Sequence, residues 1–326
     1  MLCFNADLSN YYHLEQKDRE AWIIFKNHIE YARIPQNLGE MNPNIIVSPN
    51  EQYLVVLTPR TIYFILSDVA SQTFEIEADE IFRRYVFTRD SRYFVISIRN
   101  QGILIYYCNP VTRVVTLEHE YPSRVAFAIA ASPDSKFLYL GDQKVLRKYE
   151  FGTQHTTAIW DGTVDPFITN IHTIAVSPDG TKIAGVFHDQ SYRYYLLCDD
   201  MLHFAEANKI LIERWIGQRG LKTSYPLYQH SFPGLDYLAI HRIFFAPDNT
   251  TLYFMTQQNI LFRWMPFHKK LQHIPTVTDV LIMEILHFNA IRTACAIEPR
   301  HWNTASSFKI QAISDFEFTQ MHPAKE

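Results

Sequence analysis

Seven stretches of one pattern recur along the chain, and this repetition constrains the fold more than any other feature. Laid out on a shared polar anchor, VSPNEQYL, FTRDSRYF, ASPDSKFL, VSPDGTKI and FAPDNTTL align at Ser48, Thr88, Ser132, Ser177 and Ala246. Two fainter copies, CFNAD and HFNAI, add Asn5 and Asn289, giving spacings of 43, 40, 44, 45, 69 and 43 residues. Self-similarity at such a period means one supersecondary unit repeated side by side, each copy burying an apolar face against the next.

Each unit reads as strands. Apolar residues alternate ahead of the anchors, as in Ile45 and Val47, Tyr85 and Phe87, Ile174 and Val176, and Ile243 and Phe245. Period-2 alternation of this kind marks a strand. Six residues past the anchors come Tyr11, Leu54, Phe94, Leu138, Ile183, Leu252 and Cys295, inside a second β-like run that the Pro-Asp turn folds back antiparallel. A third run follows (TIYFI, ILIYYC, VLRKYEF, SYRYYLL, ILFRWMPF) and carries an aromatic at Phe64, Tyr106, Tyr149, Tyr195 and Trp264, with Trp22 in the same place in the first copy. A weaker fourth run (HIEYARI, QTFEIE, RVVTLE, HTTAIW) completes the unit.

Four-stranded antiparallel units of about 40 residues with a late aromatic resemble the WD40 and YVTN-type β-propeller repeats. The resemblance rests on the F/V-S-P-D/N-x-x-x-L pattern and covers nearly the whole chain. The Gly-His dipeptide of strict WD40 repeats is absent, and the one Trp-Asp pair, Trp160-Asp161, falls in a fourth-strand position. The resemblance implies an all-β fold: a single β-propeller spanning residues 1–326, with seven four-stranded antiparallel blades. A six-bladed ring, with the N-terminal copy completing the last blade, is the alternative. The 69-residue interval is too short for an extra blade, so residues 199–240 are expected to hold an insertion. Within it KILIERW suits either a helix or a delayed fourth strand, and Gly217 to Gly234 reads as an irregular loop.

Composition narrows the partners. The net charge is -4, which does not favour a broad phosphate-neutralising surface, so no nucleic-acid partner is expected. The pairs Arg83-Arg84 and Lys269-Lys270 are expected to be balanced locally by Asp and Glu. No run approaches the length of a membrane span and the first residues lack the pattern of a secretory leader, so no membrane partner is expected either. Cys3, Cys108, Cys198 and Cys295 lie far apart inside or beside apolar runs, which predicts buried reduced thiols and a reducing, cytoplasmic setting, or a host cytosol for a bacterial effector.

Blade strands spend their side chains on packing, so function is expected in loops. If the topology implied by the resemblance holds, the loops between second and third strands open on one face and line a rim with Arg60, Arg99, Lys144, His188 and Arg300, interleaved with Gln101, Gln143, Gln190 and Gln257. The candidate partner-binding residues are Arg60, Arg99, His188, Arg219, Lys222, Tyr225, Tyr228, Arg300 and Trp302. They point to a protein or peptide partner bound by a monomeric, non-catalytic scaffold or adaptor, with no cofactor or metal. His172 and His241 share a repeat position and are expected to be structural. The alternative is a propeller enzyme of lactonase or hydrolase type, with carboxylates such as Asp165, Asp236 and Glu284 at the central channel. No H-E-x-x-H, G-x-S-x-G, P-loop or G-x-G-x-x-G pattern is present.

Overall fold

The computed structural model describes residues 2–5, 8–18, 21–34, 43–66, 69–76, 83–98, 101–122, 128–142, 145–161, 168–189, 194–200, 225–226, 240–256, 261–265, 270–273, 283–288, 294–299, 309–312 and 319–321. Every regular element among them is a strand. Sheet A holds β1 (Leu2–Phe4), β2 (Tyr11–Asp18), β3 (Ala21–Lys26) and β4 (Ile29–Ile34). Sheet B holds β5 (Asn44–Val47), β6 (Tyr53–Leu57), β7 (Thr61–Leu66) and β8 (Val69–Glu75), and sheet C holds β9 (Arg83–Phe87), β10 (Tyr93–Ile98), β11 (Gly102–Cys108) and β12 (Val115–Pro122). Sheet D holds β13 (Ala128–Ala131), β14 (Phe137–Asp142), β15 (Val145–Glu150) and β16 (Thr156–Asp161). Sheet E holds β17 (Ile168–Val176), β18 (Lys182–Asp189), β19 (Tyr194–Asp200) and β20 (Tyr225–Pro226).

Sheet F holds β21 (Ile240–Phe245), β22 (Leu252–Thr256), β23 (Leu261–Met265) and β24 (Lys270–His273), and sheet G holds β25 (Met283–Phe288), β26 (Ala294–Pro299) and β27 (Lys309–Ala312). The last strand, β28 (Thr319–Met321), pairs with β24 and makes sheet F five-stranded, leaving sheet G with three strands among the described residues. That departs from a uniform four per repeat. Apart from β28, strands run in sequence order within each sheet, each antiparallel to the one before. The chain divides into two compact units: residues 1–126 with 283–313, and residues 127–282 with 314–326. Sheets A, B, C and G fall in the first, and D, E and F in the second.

The anchors build one turn over and over. The Ser48 carbonyl accepts the amide of Glu51 at 2.9 Å, and the Ser48 amide donates to the Tyr53 carbonyl at 2.8 Å. Its hydroxyl donates to Asn50 Oδ1 and accepts the Tyr53 amide. Thr88, Ser132 and Ser177 repeat the arrangement with Asp90, Asp134 and Asp179. Ala246 has no hydroxyl, and there Asp248 takes over by accepting the amides of Thr250 and Thr251 and the Thr251 hydroxyl. In the first copy the Asn5 side chain accepts the Asn10 amide. The residue three past each of these six anchors, Leu8, Glu51, Ser91, Ser135, Gly180 and Asn249, has positive φ. Only Gly180 adopts it without the steric cost of a Cβ.

Alternation then sorts the strands onto two faces. From sheet B, Val55, Leu57, Phe64 and Leu66 pack with Phe94, Ile96, Leu104 and Tyr106 of sheet C, while Leu54, Val56, Tyr63 and Ile65 pack with Tyr12, Leu14 and Ile24 of sheet A. Both faces of sheet B are thus buried, which explains why β6 reads YLVVL without polar interruption. The third-strand aromatics Phe64, Tyr106 and Tyr149 are at most 1% exposed, and the Phe64 ring meets Phe94 edge-on at 5.6 Å between centroids. In the second unit Leu146 and Tyr139 of sheet D pack with Ile171, Ile174 and Ile183 of sheet E.

Inside the expected insertion one local expectation changes. The fourth strand of sheet E is Tyr225–Pro226, paired with Tyr195 and Leu196, so Tyr225 stands in a strand where the sequence suggests loop. A proline suits that position because an edge strand can spare a donor. KILIERW and the rest of Gly217 to Gly234 lie outside the described residues. Cys3 and Cys108 are free and buried, as expected, and burial pushes the Cys108 thiol up to about 12 and the Cys3 thiol higher still.

Candidate functional site

The anchored turns fix the relative placement of sheets A, B and C. The Asn50 amide donates to Ser91 Oγ at 3.1 Å, joining the turns of sheets B and C. The Tyr53 hydroxyl donates to the Asn109 carbonyl at 2.7 Å, at the same end of the sheets. Glu51 joins sheet B to sheet A: its carboxylate accepts from Asn5 at 2.7 Å, from the Tyr12 hydroxyl at 2.7 Å and from Lys26 Nζ at 2.8 Å. Burial alone would raise the Glu51 carboxyl, but hydrogen bonds from Lys26, Tyr12, Asn5 and Asn10 hold it down at about 2. Its partners saturate it, so this end of the three sheets is a fastening and offers little free chemistry.

The opposite end differs. There the turn joining β6 to β7 carries Arg60, exposed, on a backbone fixed three ways. The Thr58 amide donates to the Thr61 carbonyl at 2.9 Å, the Thr61 amide to Thr58 Oγ1 at 2.9 Å, and the Ile76 amide to the Arg60 carbonyl at 2.8 Å. In sheet C the same end carries the start of β9 and the turn from β10 to β11. Arg84 of β9 faces Ser97 of β10, and Arg83 faces Ile98, to whose carbonyl the Gln101 amide donates at 3.3 Å to close the turn.

The acids next to Arg84 in the sequence, Glu77, Asp79 and Glu80, lie outside the described residues. Arg84 is half-buried, and no hydrogen bond or ion pair among the described residues involves it. Burial pulls its guanidinium down to about 10. The side-chain Oε1 of Gln101 is buried without a hydrogen-bond partner. Sequence reasoning places Gln101 on the rim but treats Arg84 as an ordinary balanced charge. The alternation of Tyr85 and Phe87 into the core shared with sheet B is the signal that could find it, since that alternation turns Arg84 onto the other face of β9.

Of the other expected site residues, His188 lies in β18 opposite Tyr194, and Tyr225 lies in β20. Arg99, Arg219, Lys222, Tyr228, Arg300 and Trp302 fall outside the described residues, as do Asp165 and Asp236. Glu284 lies in β25 opposite Glu298. His172 and His241 both lie in strands, β17 and β21. No group of three His, Cys, Asp or Glu side chains with metal-binding placement occurs among the described residues, and none of those residues forms a helix long and apolar enough to cross a membrane.

No protein-family model matches the chain, and no curated protein matches it in sequence. Among solved structures it is similar to Kuenenia stuttgartiensis Hydrazine Synthase, with a TM-score of 0.53 and 11% identity over 78% of this chain and 73% of that one. At that identity the likeness concerns the fold alone. An architecture that matches 1261 solved chains hosts many activities, so function has to be argued from the site.

Proposed function

We propose that the chain folds as one β-propeller of seven blades and serves as a non-catalytic, monomeric platform that binds a protein or peptide on the loop face opposite the anchored turns. The observation that carries this reading is the contrast between the two ends of sheets A to C. One end ties neighbouring sheets together through saturated hydrogen bonds, while the other presents Arg60 exposed on a clamped turn. A side chain held by rigid backbone loses little freedom on binding, and arginine is among the residues that dominate interface energetics. The remaining candidates, Arg99, His188, Arg219, Lys222, Tyr225, Tyr228, Arg300 and Trp302, extend the proposed surface.

A photo-crosslinking residue at position 60, compared with one at the exposed Val111 of the opposite end, tests the reading. Position 60 is expected to yield a discrete adduct and position 111 none. The captured protein, once purified, should bind the intact chain and lose at least tenfold in affinity to Arg60→Glu. Adducts at 111 alone, or affinity indifferent to Arg60→Glu, would refute it. Alanine replacement of Asp165, Asp236 and Glu284 should leave that binding unchanged.

A further inference from the structure

We infer that the outer edge of sheet F is a docking surface that takes an extended peptide as an added antiparallel strand, and that it prefers a peptide with an acidic residue opposite Lys270. This surface is additional to the loop face of the platform reading and does not depend on it. In sheets A to E the fourth strand is the last, but in sheet F the fourth strand, β24, has a further neighbour. Thr319, Gln320 and Met321 of β28 lie antiparallel to it, opposite His273, Gln272 and Leu271. All of sheet G intervenes in the sequence, so the edge of β24 accepts a strand from outside its own repeat. A strand edge holds such a segment through main-chain hydrogen bonds, which any extended peptide offers.

β28 is a weak occupant. It is three residues long, and so short a ladder sets a few hydrogen bonds of modest net worth against the ordering of the residues that make them. The covalent tether holds it there by supplying a high effective concentration. The register also shows where a better strand would gain. One step past the pairing of Leu271 with Met321, β24 continues to Lys270, whose partner on the other side is Met265 of β23. The position opposite Lys270 on the outer side falls at 322, and the sequence there, His322 followed by Pro323, brings no anion and, at the proline, no donor. Directly opposed residues of an antiparallel pair share a face, so a glutamate or aspartate at that position pairs with Lys270. A peptide of the order Thr-Gln-Met-Glu therefore keeps every pairing of β28 and adds a charge pair that this segment's own sequence cannot make. β28 then acts as a built-in competitor, which such a peptide displaces.

Hydrogen exchange and fluorescence anisotropy on the full chain test the assignment. In the parent, the β28 amides are expected to exchange much faster than those of β22 and β23. Protection equal to theirs would make β28 a permanent strand and overturn the inference. The peptide Glu-Phe-Thr-Gln-Met-Glu amide, labelled with fluorescein at its N-terminus, should bind the parent weakly. It should bind about tenfold more tightly to a chain carrying both Gln320→Pro and Met321→Pro, since consecutive amides point to opposite edges and the pair of prolines removes the one that faces β24. Changing the peptide's last glutamate to glutamine is expected to weaken binding several-fold, and Lys270→Glu in the chain to reverse the preference between that glutamate and a lysine in its place. The melting midpoint of the double proline variant should stay within a few degrees of the parent's, and a much lower one would make β28 a structural strand and overturn the surface. Equal affinity for parent and double variant would overturn it too, as would no binding to either, or binding indifferent to the charge opposite position 270.

Discussion

The side-chain carboxamide of Gln72 brackets the backbone of Val115, accepting its amide at 2.6 Å and donating to its carbonyl from Nε2 at 3.4 Å. Gln72 belongs to β8 and Val115 to β12, the last strands of two packed sheets. An outer strand presents unpaired N–H and C=O groups, and here one side chain occupies the place of a neighbouring strand's peptide. Gln72→Leu should therefore destabilise the chain by about 1–3 kcal/mol, the penalty for leaving buried backbone groups unsatisfied. Hydrogen exchange should locate the effect: the Val115 amide should lose protection ahead of the β10–β11 ladder. Equal protection in both proteins would show that solvent already satisfies that edge.

Gly141 marks a close approach of sheets D and E. A Cβ there would lie 2.7 Å from Ile171 Cγ2 and 3.0 Å from Ile171 Cβ. Gly141→Ala is expected to cost about 1–3 kcal/mol through overpacking. Pairing it with Ile171→Ala, which removes the Cγ2, should give a double variant less destabilised than the sum of the two singles. Additive losses in denaturant titrations would mean that the sheets adjust without contact between the two positions.

Ser177 joins both arms of its hairpin, donating to Asp179 Oδ1 at 2.6 Å and accepting the Lys182 amide at 2.8 Å. Ser177→Ala should lower stability by about 1–3 kcal/mol, since a backbone amide and a carboxylate each lose a partner. Gly180, in the same turn, has φ +74 and nothing closer than Pro133 Cδ at 3.7 Å, so the cost of Gly180→Ala is conformational alone, about 1 kcal/mol. Calorimetry should rank Ser177→Ala at or below Gly180→Ala in melting midpoint, and the reverse order would assign the turn's stability to backbone freedom over the hydroxyl.

The anchors were legible because one turn geometry favours a small hydroxyl with an Asx acceptor two residues on, and four copies repeat that pair, at Ser48, Thr88, Ser132 and Ser177. The third-strand aromatics were legible for a similar reason: Phe64, Tyr106 and Tyr149 fill equivalent core positions. What the sequence hid depended on contacts between distant segments. Glu51 looks like a solvated turn acid, yet its partners Asn5 and Tyr12 lie 46 and 39 residues away. Arg84 looks like any surface arginine, and only the packing of Tyr85 and Phe87 shows which way it turns. The strand at Tyr225–Pro226 is too short to carry periodicity, and β28 reaches β24 with all three strands of sheet G intervening in the sequence.

Glu51 also sets how the chain responds to acid. Its carboxyl is held at about 2 in the folded chain against an ordinary 4.5, so the folded state favours the ionised form. Its contribution is complete above the ordinary value of 4.5, shrinks as pH falls, and is gone below about 2. The side chain is 26% exposed, and after a discount for solvent screening the shift corresponds to stability on the order of 2–3 kcal/mol. The turn carboxylates of Asp134, Asp179 and Asp248 act in the same direction: burial would raise them, but bonds from Ser132, Ser177 and Thr251 lower them. Urea unfolding between about pH 6 and pH 3 should therefore show stability falling with acid, and Glu51→Gln should start lower and fall less steeply. Parallel curves for the two proteins would mean that Lys26 and Tyr12 do not hold the carboxylate in solution, and that sheets A and B are joined by their apolar contact alone.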